Sequence, residues 1–407
     1  MDEVIVSVAI CTRSRAESLA RTLESLCAMR CVLASDYEVV VVDNGSTDHT
    51  ATVCKAFEAR LPMRYFFEQQ PGLSVARNRA IREVRGRYIC WTDDDVTVCP
   101  GWLHAYLTSF AKHPEAAFFG GKITPVLEEP ATPWFAQNYR SRPLQLLVAL
   151  RDLGAEEVSL GDANKPFGAN YAIRMDVQRR YPYDPELGVQ PGRNRVGEET
   201  AVIQAMIGAG LTGYWVPAAE VVHHISRKRQ STAYVERYFR AVGETDAYLW
   251  GRSGRVPVLG VPASLWCRYA VRLCAYYWAR AVRKPKVWLL RLRDLGFVKG
   301  QFEYHWCKRS TSRIRDKFQK RLARRSRGPH EPGRLPALDR GASVNHGAVS
   351  RSSSPLSAGL VGAQAGVDRG VLSSAVPGVS PVEPAQVMSK QGDRQPTERG
   401  EHREIMR

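Results

Sequence analysis

The stretch Trp91-Thr92-Asp93-Asp94-Asp95 places three carboxylates at the end of a short apolar run, Tyr88-Ile89-Cys90-Trp91. Adjacent acids repel one another and lose solvation unless a cation sits among them. In an extended segment alternate side chains share a face, so Asp93 and Asp95 point one way and Asp94 the other. That pattern suits a divalent cation taking oxygen ligands from the protein and from substrate phosphates. A solvated acidic turn closing a strand is the plain alternative, and the neighbouring elements must decide.

Those elements are legible from periodicity. Val4 to Ile10 reads as a buried strand, followed by the polar loop Thr12 to Arg15 and then Leu19, Leu23 and Leu26 at helical spacing. Glu38 to Val42 is a second strand ending at Asp43-Asn44, with Thr47-Asp48 as helix-capping candidates. Met63 to Phe67 is a third, Val75 to Val84 a helix, and Tyr88 to Trp91 the fourth strand. Strands alternating with helices, each strand continuously apolar, predict an α/β fold with a mostly parallel sheet covered on both faces. Ligands of such sheets gather beyond the carboxyl ends of the strands. Thr12-Arg13, Asp43-Asn44 and Asp93–Asp95 all fall there, which favours a site over an acidic turn. No Gly-x-Gly-x-x-Gly follows the first strand and no Gly-Lys-Ser/Thr loop is present, so dinucleotide and P-loop readings gain no support.

Composition narrows the class further. The chain has 407 residues, 44% hydrophobic, and a formal net charge of +17. That charge calls for an anionic partner such as nucleotide phosphates, an acidic membrane surface or nucleic acid. The nine cysteines are scattered; Cys27-x3-Cys31 lacks a second pair, so no zinc site is expected. The acidic start Met1-Asp2-Glu3 does not resemble a signal peptide, and no apolar run is long enough to span a membrane. The expected location is cytoplasmic, peripheral at the inner membrane face.

Three regions are expected: 1–232 as the α/β domain, 233–327 as a basic amphipathic helical region, and 328–407 as a disordered tail rich in Gly, Ser, Pro and Ala. In the middle region Trp266, Tyr269, Leu273, Tyr276 and Tyr277 recur among arginines, and Trp288, Leu289, Leu292 and Leu295 continue the pattern. The pattern is that of a helix lying in a membrane interface, through residues 260–327, or of a basic surface helix packed on the domain. No nucleic-acid-binding fold surrounds the basic run from Lys308 to Arg327, so lipid or solvent is preferred there over nucleic acid.

Seven blocks together resemble family 2 inverting glycosyltransferases of the GT-A fold, from about Val4 to about Ile225: VSVAICTRSRAESLARTLESL, VVVVDNGSTD, QQPGLSVARNRAI, WTDDD, FGANYAIR, GEET and VPAAEVVHH. The resemblance implies a nucleoside-diphosphate sugar donor, a UDP-sugar first among them, and Mg²⁺ or Mn²⁺. It implies a hydroxyl acceptor on a polysaccharide, a lipid-linked sugar or a similar glycan. It sets Thr12 and Arg13 beside the nucleotide, Asp43 on the base, and Arg77 and Asn78 near the nucleotide and its phosphates. Asp95 matches the metal ligand, and Asp93 a nucleoside-side acid or the partner of a metal-bound water. Asp94 belongs with this donor-side cluster without a separate role. His223 matches a further metal or diphosphate contact. Glu198-Glu199 stand where the family usually carries Glu-Asp, so Glu199 takes the base position with one extra methylene. Gly168, Ala169 and Asn170 lie where the family contacts the acceptor. The competing readings are a nucleotidyltransferase-like enzyme and a non-catalytic basic scaffold with a degenerate transferase domain.

Overall fold

The computed structural model describes residues 4–251, 257–282 and 285–325. The expected tail at 328–407 lies outside the described residues. The first half runs β1 (Val6–Thr12), α1 (Ala16–Cys27), β2 (Tyr37–Asp43), α2 (Thr50–Phe57), β3 (Met63–Phe67), α3 (Leu73–Glu83), β4 (Tyr88–Asp93), β5 (Val96–Val98), α4 (Trp102–Lys112) and β6 (Phe118–Leu127). Short pieces follow: α5 (Pro133–Ala136), α6 (Arg142–Gln145), β7 (Ser159–Leu160), β8 (Asn170–Arg174), α7 (Met175–Gln178), β9 (Gly188–Gln190) and β10 (Arg193–Arg195). The chain then forms α8 (Glu198–Gly208), β11 (Gly213–Ile225), α9 (Thr232–Trp250), the hairpin β12 (Pro257–Val258) and β13 (Val261–Pro262), α10 (Ala263–Ala281) and α11 (Pro285–Arg325).

The main sheet has the order β3-β2-β1-β4-β8-β6-β11-β5, with β7 beside β11. The four strands from β3 to β4 are parallel, as their unbroken apolar sequences require. Alternate residues feed two cores: Val6, Val8 and Ile10 pack with Val39 and Val41 on one face, Ala9 with Val40 and Val42 on the other. Each fully buried Val or Ile among them contributes about 1.5–3 kcal/mol of transfer free energy. Beyond β4 the sheet changes sense: β8 runs antiparallel to both β4 and β6. That reversal delivers the loop before β8, with Gly168 and Ala169, to the edge where β4 releases its acids. β11 is one long strand, bulged between Val216 and Glu220.

The expected boundary at 232 does not separate two cores. Trp288, Leu289 and Leu292 of α11 are buried with Phe135, Leu144, Val148, Ile225, Val235 and Phe239. The α11 part of the apolar stripe read as an interfacial helix is therefore interior, covered by the segment around 125–150 and by α9, whereas Tyr277 of the α10 part is exposed. Among the described residues no helix is long and apolar enough to cross a membrane.

Candidate active site

Strand register lines up the carboxyl ends. Thr12 pairs with Asp43 across β1–β2, and Cys11 with Asp93 across β1–β4. β4 stops at Asp93, and Asp94 and Asp95 form the turn into β5. The alternation expected of an extended triplet is therefore lost. Asp93 stays partly open to solvent, whereas Asp94 and Asp95 are both turned inward onto one guanidinium. Arg15 reaches Asp94 Oδ1 at 2.7 Å with Nη1 and Asp95 Oδ2 at 2.6 Å with Nη2. Thr12 Oγ1 donates to Asp94 Oδ2 at 2.7 Å. Burial pushes the Asp94 carboxyl up to about 7 despite Arg15, and the neighbouring Asp95 adds to the rise. For Asp95, burial also opposes ionisation, but His223, Arg229 and Arg15 outweigh it and hold the carboxyl well below the usual range.

His223, on β11, brings its Nε2 to 3.5 Å from Asp95 Oδ1. Its Nδ1 lies 2.9 Å from the Val148 carbonyl, which can only accept, so Nδ1 carries a hydrogen whether or not the ring is charged, and Nε2 presents a lone pair when the ring is neutral. Arg229 fills the space between these two groups: Nη2 is 3.1 Å from Asp95 Oδ2 and Nη1 is 3.0 Å from His223 Nε2. Carboxylate oxygen beside an imidazole lone pair is a fitting donor pair for Mg²⁺ or, better, Mn²⁺. Among the described residues no group of three or more His, Cys, Asp or Glu side chains forms a metal cage. A cation here would need its remaining ligands from substrate phosphate and water, as such ions commonly do.

A second cluster sits on the other side of Asp93. Glu198 and Glu199 open α8, and Glu198 Oε1 is 3.3 Å from Arg77 Nη1. Arg77 is buried under the rings of Trp91, Tyr171 and Tyr183, with Nη1 3.2 Å from the Tyr171 hydroxyl and Nη2 3.8 Å from Asp93 Oδ1. It holds the acids from beneath and has no open face for a donor phosphate, contrary to the expected contact. A Cβ on Gly168 would lie 3.2 Å from Glu199 Cδ and 3.4 Å from Arg77 Nη2, so the absence of a side chain there keeps the Glu199 carboxyl uncrowded. Burial raises the Glu199 pKa to about 7, with the Glu198 charge adding and Arg77 opposing. A carboxyl poised near neutrality can take a proton from a hydroxyl group in the transition state.

Other expected contacts have structural duties. Asn170 is fully buried with its amide saturated: Oδ1 accepts from Trp102 Nε1 and the Tyr106 hydroxyl, and Nδ2 donates to the Lys122 and Ala219 carbonyls. It ties three strands and α4 together and cannot face an acceptor. Gly121 permits this, since a Cβ there would come within 2.3 Å of both Asn170 Nδ2 and the Ala219 carbonyl. Ala169 is buried and offers its carbonyl to Thr92, leaving Gly168 as the one partly exposed member of the trio. Asn78 exchanges both amide groups with the Tyr183 backbone, which pins a loop rather than a ligand. Asp43 accepts from the Ser46 amide and the Tyr65 hydroxyl, the turn-capping role. Arg13 donates to the Asn44 carbonyl at 3.0 Å. Arg15 and Arg229 were not singled out from sequence. The only sequence cue is their place, one two residues past Arg13 in the β1 loop, the other six past His223.

The family described as Glycosyl transferase family 2 matches residues 7–154. This chain carries a family 2 glycosyltransferase segment. Over 117 residues it is 32% identical to a chondroitin synthase of Escherichia coli, covering 28% of this chain and 17% of that protein. With the succinoglycan biosynthesis protein ExoM of Rhizobium meliloti it shares 24% identity over 305 residues, 72% of this chain and 92% of the relative. The chain spans 17–26% of the length of the first curated relatives it matches. A mannosyltransferase of Pyrobaculum calidifontis, solved with GDP-Man and Mn²⁺, superposes with a TM-score of 0.50 at 20% identity, over 74% of this chain and 87% of that one. The family 2 segment ends well before Glu199 and His223, so the late half of the site rests on the geometry above.

Proposed function

We propose that this chain is an inverting transferase that moves a sugar from a nucleoside-diphosphate sugar, UDP-linked first among them, to a hydroxyl of a glycan or lipid-linked acceptor. The observation that carries the reading is Glu199. It is poised at about 7 beside the Gly168 gap and on the same rim as Asp93. Glu199 takes the acceptor hydroxyl proton as the acceptor oxygen bonds to the anomeric carbon. The bond from that carbon to the diphosphate oxygen breaks, and its electron pair leaves on the diphosphate. Glu198 keeps Arg77 in place, and Arg77 in turn orients Asp93 toward the donor side. Asp95 and His223 would hold Mg²⁺ or Mn²⁺, which supplies charge neutralisation for the departing diphosphate. Thr12 and Arg13 line the first-strand loop on the nucleotide side.

Contact with an anionic membrane surface is part of the same reading, on a different face from the one periodicity suggested. On α10 the exposed side chains Cys267, Val271, Cys274 and Trp278 follow helical spacing, with Tyr277 beside them. The helix contains arginines and no acid. An apolar stripe edged by cations fits acyl chains below anionic headgroups.

The test is a panel of UDP-, GDP- and dTDP-sugars with and without Mn²⁺, read by thermal shift and by released nucleoside diphosphate. Stabilisation by one donor, loss of release on chelation and recovery with Mn²⁺ or Mg²⁺ are expected. Release of pyrophosphate instead would replace this reading with nucleotidyl transfer.

A further inference from the structure

The Asp95–His223 pair already holds a cation, and it belongs to the chain. Arg229 bridges the two groups at 3.1 Å and 3.0 Å, using separate nitrogens for the carboxylate oxygen and the imidazole lone pair. Its position is built in. Arg229 lies in a 3₁₀ turn, Arg227–Gln230, between the end of β11 and α9. The next residue, Gln230, is fully buried; it donates to the Glu128 and Ile225 carbonyls and accepts from the Thr132 amide. The following Ser231 caps α9 through the Tyr234 amide. The turn is therefore fastened on both sides, and its guanidinium is delivered to one place. Arg15 differs: its two nitrogens are divided between Asp94 and Asp95, and it does not touch His223.

A guanidinium and a divalent ion cannot share that space. We propose that Arg229 is the resident cation of the metal seat in the nucleotide-free protein, displaced by the divalent ion that arrives with the donor diphosphate. This inference rests on the metal reading above. Replacing one arginine by a divalent ion adds one positive charge to the seat, and the negative charge of the arriving diphosphate offsets it. The Tyr234 ring, with its centroid 6.0 Å from the Arg229 guanidinium carbon, offers a cation–π resting place beside the site. The functional consequence is ordered occupancy. The free protein binds metal weakly, and donor and metal enter as a unit.

The experiment titrates MnCl₂ by calorimetry into the full chain, with and without UDP, for wild type, Arg229→Gln and Arg229→Lys. Circular dichroism melts establish that each variant is folded. Without UDP, Arg229→Gln should bind Mn²⁺ about tenfold tighter than wild type, the scale of one charge-assisted contact that no longer competes. Arg229→Lys keeps a competing charge and should stay within about twofold of wild type. UDP should strengthen Mn²⁺ binding more in wild type than in Arg229→Gln, where the seat is already vacated. An unchanged or weakened Mn²⁺ affinity in folded Arg229→Gln overturns the proposal. If wild type binds UDP yet takes up no Mn²⁺ beside it, the metal reading itself fails, and this inference with it.

Discussion

Glu198→Gln isolates the electrostatics that poise the proposed base. Glu199 stands near 7 because of burial first and the Glu198 charge second, with Arg77 pulling the other way. Replacing Glu198 by a neutral amide of the same shape acts twice with one sign. It removes a like charge, and it releases Arg77 Nη1 from its 3.3 Å contact so that the guanidinium serves Glu199 more fully. Both changes favour the ionised carboxylate, so the Glu199 pKa falls. A base works in its ionised form, which means activity is lost as pH drops through its pKa. Wild-type kcat/KM should therefore show an acid limb centred near pH 7, and the variant's limb should move down by about one pH unit, equivalent to about 1.4 kcal/mol. At about pH 6 the wild type would run near a tenth of its own plateau, and the variant near half of its own. The assay is nucleoside diphosphate release under kcat/KM conditions, which reports the free enzyme. Each profile is normalised to its plateau, so a lower maximum from other causes does not matter. A limb that stays put or moves upward would refute the assignment of Glu199 as the titrating base.

Glu199→Gln should cut transfer by about 10³-fold, within the range for loss of a general base. The same change should stabilise the protein at pH 8: a carboxyl raised to about 7 in the fold gains stability when protonated and loses it as pH rises through that value, and glutamine never ionises. Discounted for partial exposure, the gain is about 2 kcal/mol at pH 8, and thermal melts should show it vanish by about pH 4.5. Asn170→Ala should cost more than about 3 kcal/mol and show mainly as a lost melting transition, because four buried partners lose their bonds at once. A soluble, normally melting Asn170→Ala with a raised acceptor KM would restore the acceptor role. Co-sedimentation with vesicles containing phosphatidylglycerol should fall at least about fivefold for Val271→Glu/Trp278→Glu, while neutral phosphatidylcholine vesicles bind neither protein. Equal retention of both proteins on the anionic vesicles would remove α10 from the membrane.

The strands are legible in the sequence because β1, β2 and β4 are buried on both faces and apolar along most of their length; their polar ends then mark the site edge. Placing the late elements was harder. Trp288, Leu289 and Leu292 satisfy a helical period, but whether that stripe meets lipid or protein depends on Phe135, Leu144 and Val235, which lie outside any local window. The same limit applied inside the site. Asn78 and Asn170 sit in blocks that look catalytic, yet their amides hold loops and strands; a motif letter does not say which way its side chain turns. The acids were visible and their counter-ions were not. Asp94 and Asp95 are answered by Arg15, 80 residues before Asp95, and Asp95 also by Arg229 from beyond β11, while Asp93 and Glu198 are answered by Arg77. Two buried acids and a third half-open one at a strand end are tolerable only with such partners. An acid cluster in a sequence of this kind is thus half of a statement, and the other half is the set of arginines that the fold returns to it. Two of those arginines differ in what they permit. Arg77 is walled in by three rings and can only hold, whereas Arg229 is partly exposed beside Tyr234, the setting that its proposed displacement requires. That difference separates a residue that shapes the site from one that can respond when the substrate arrives.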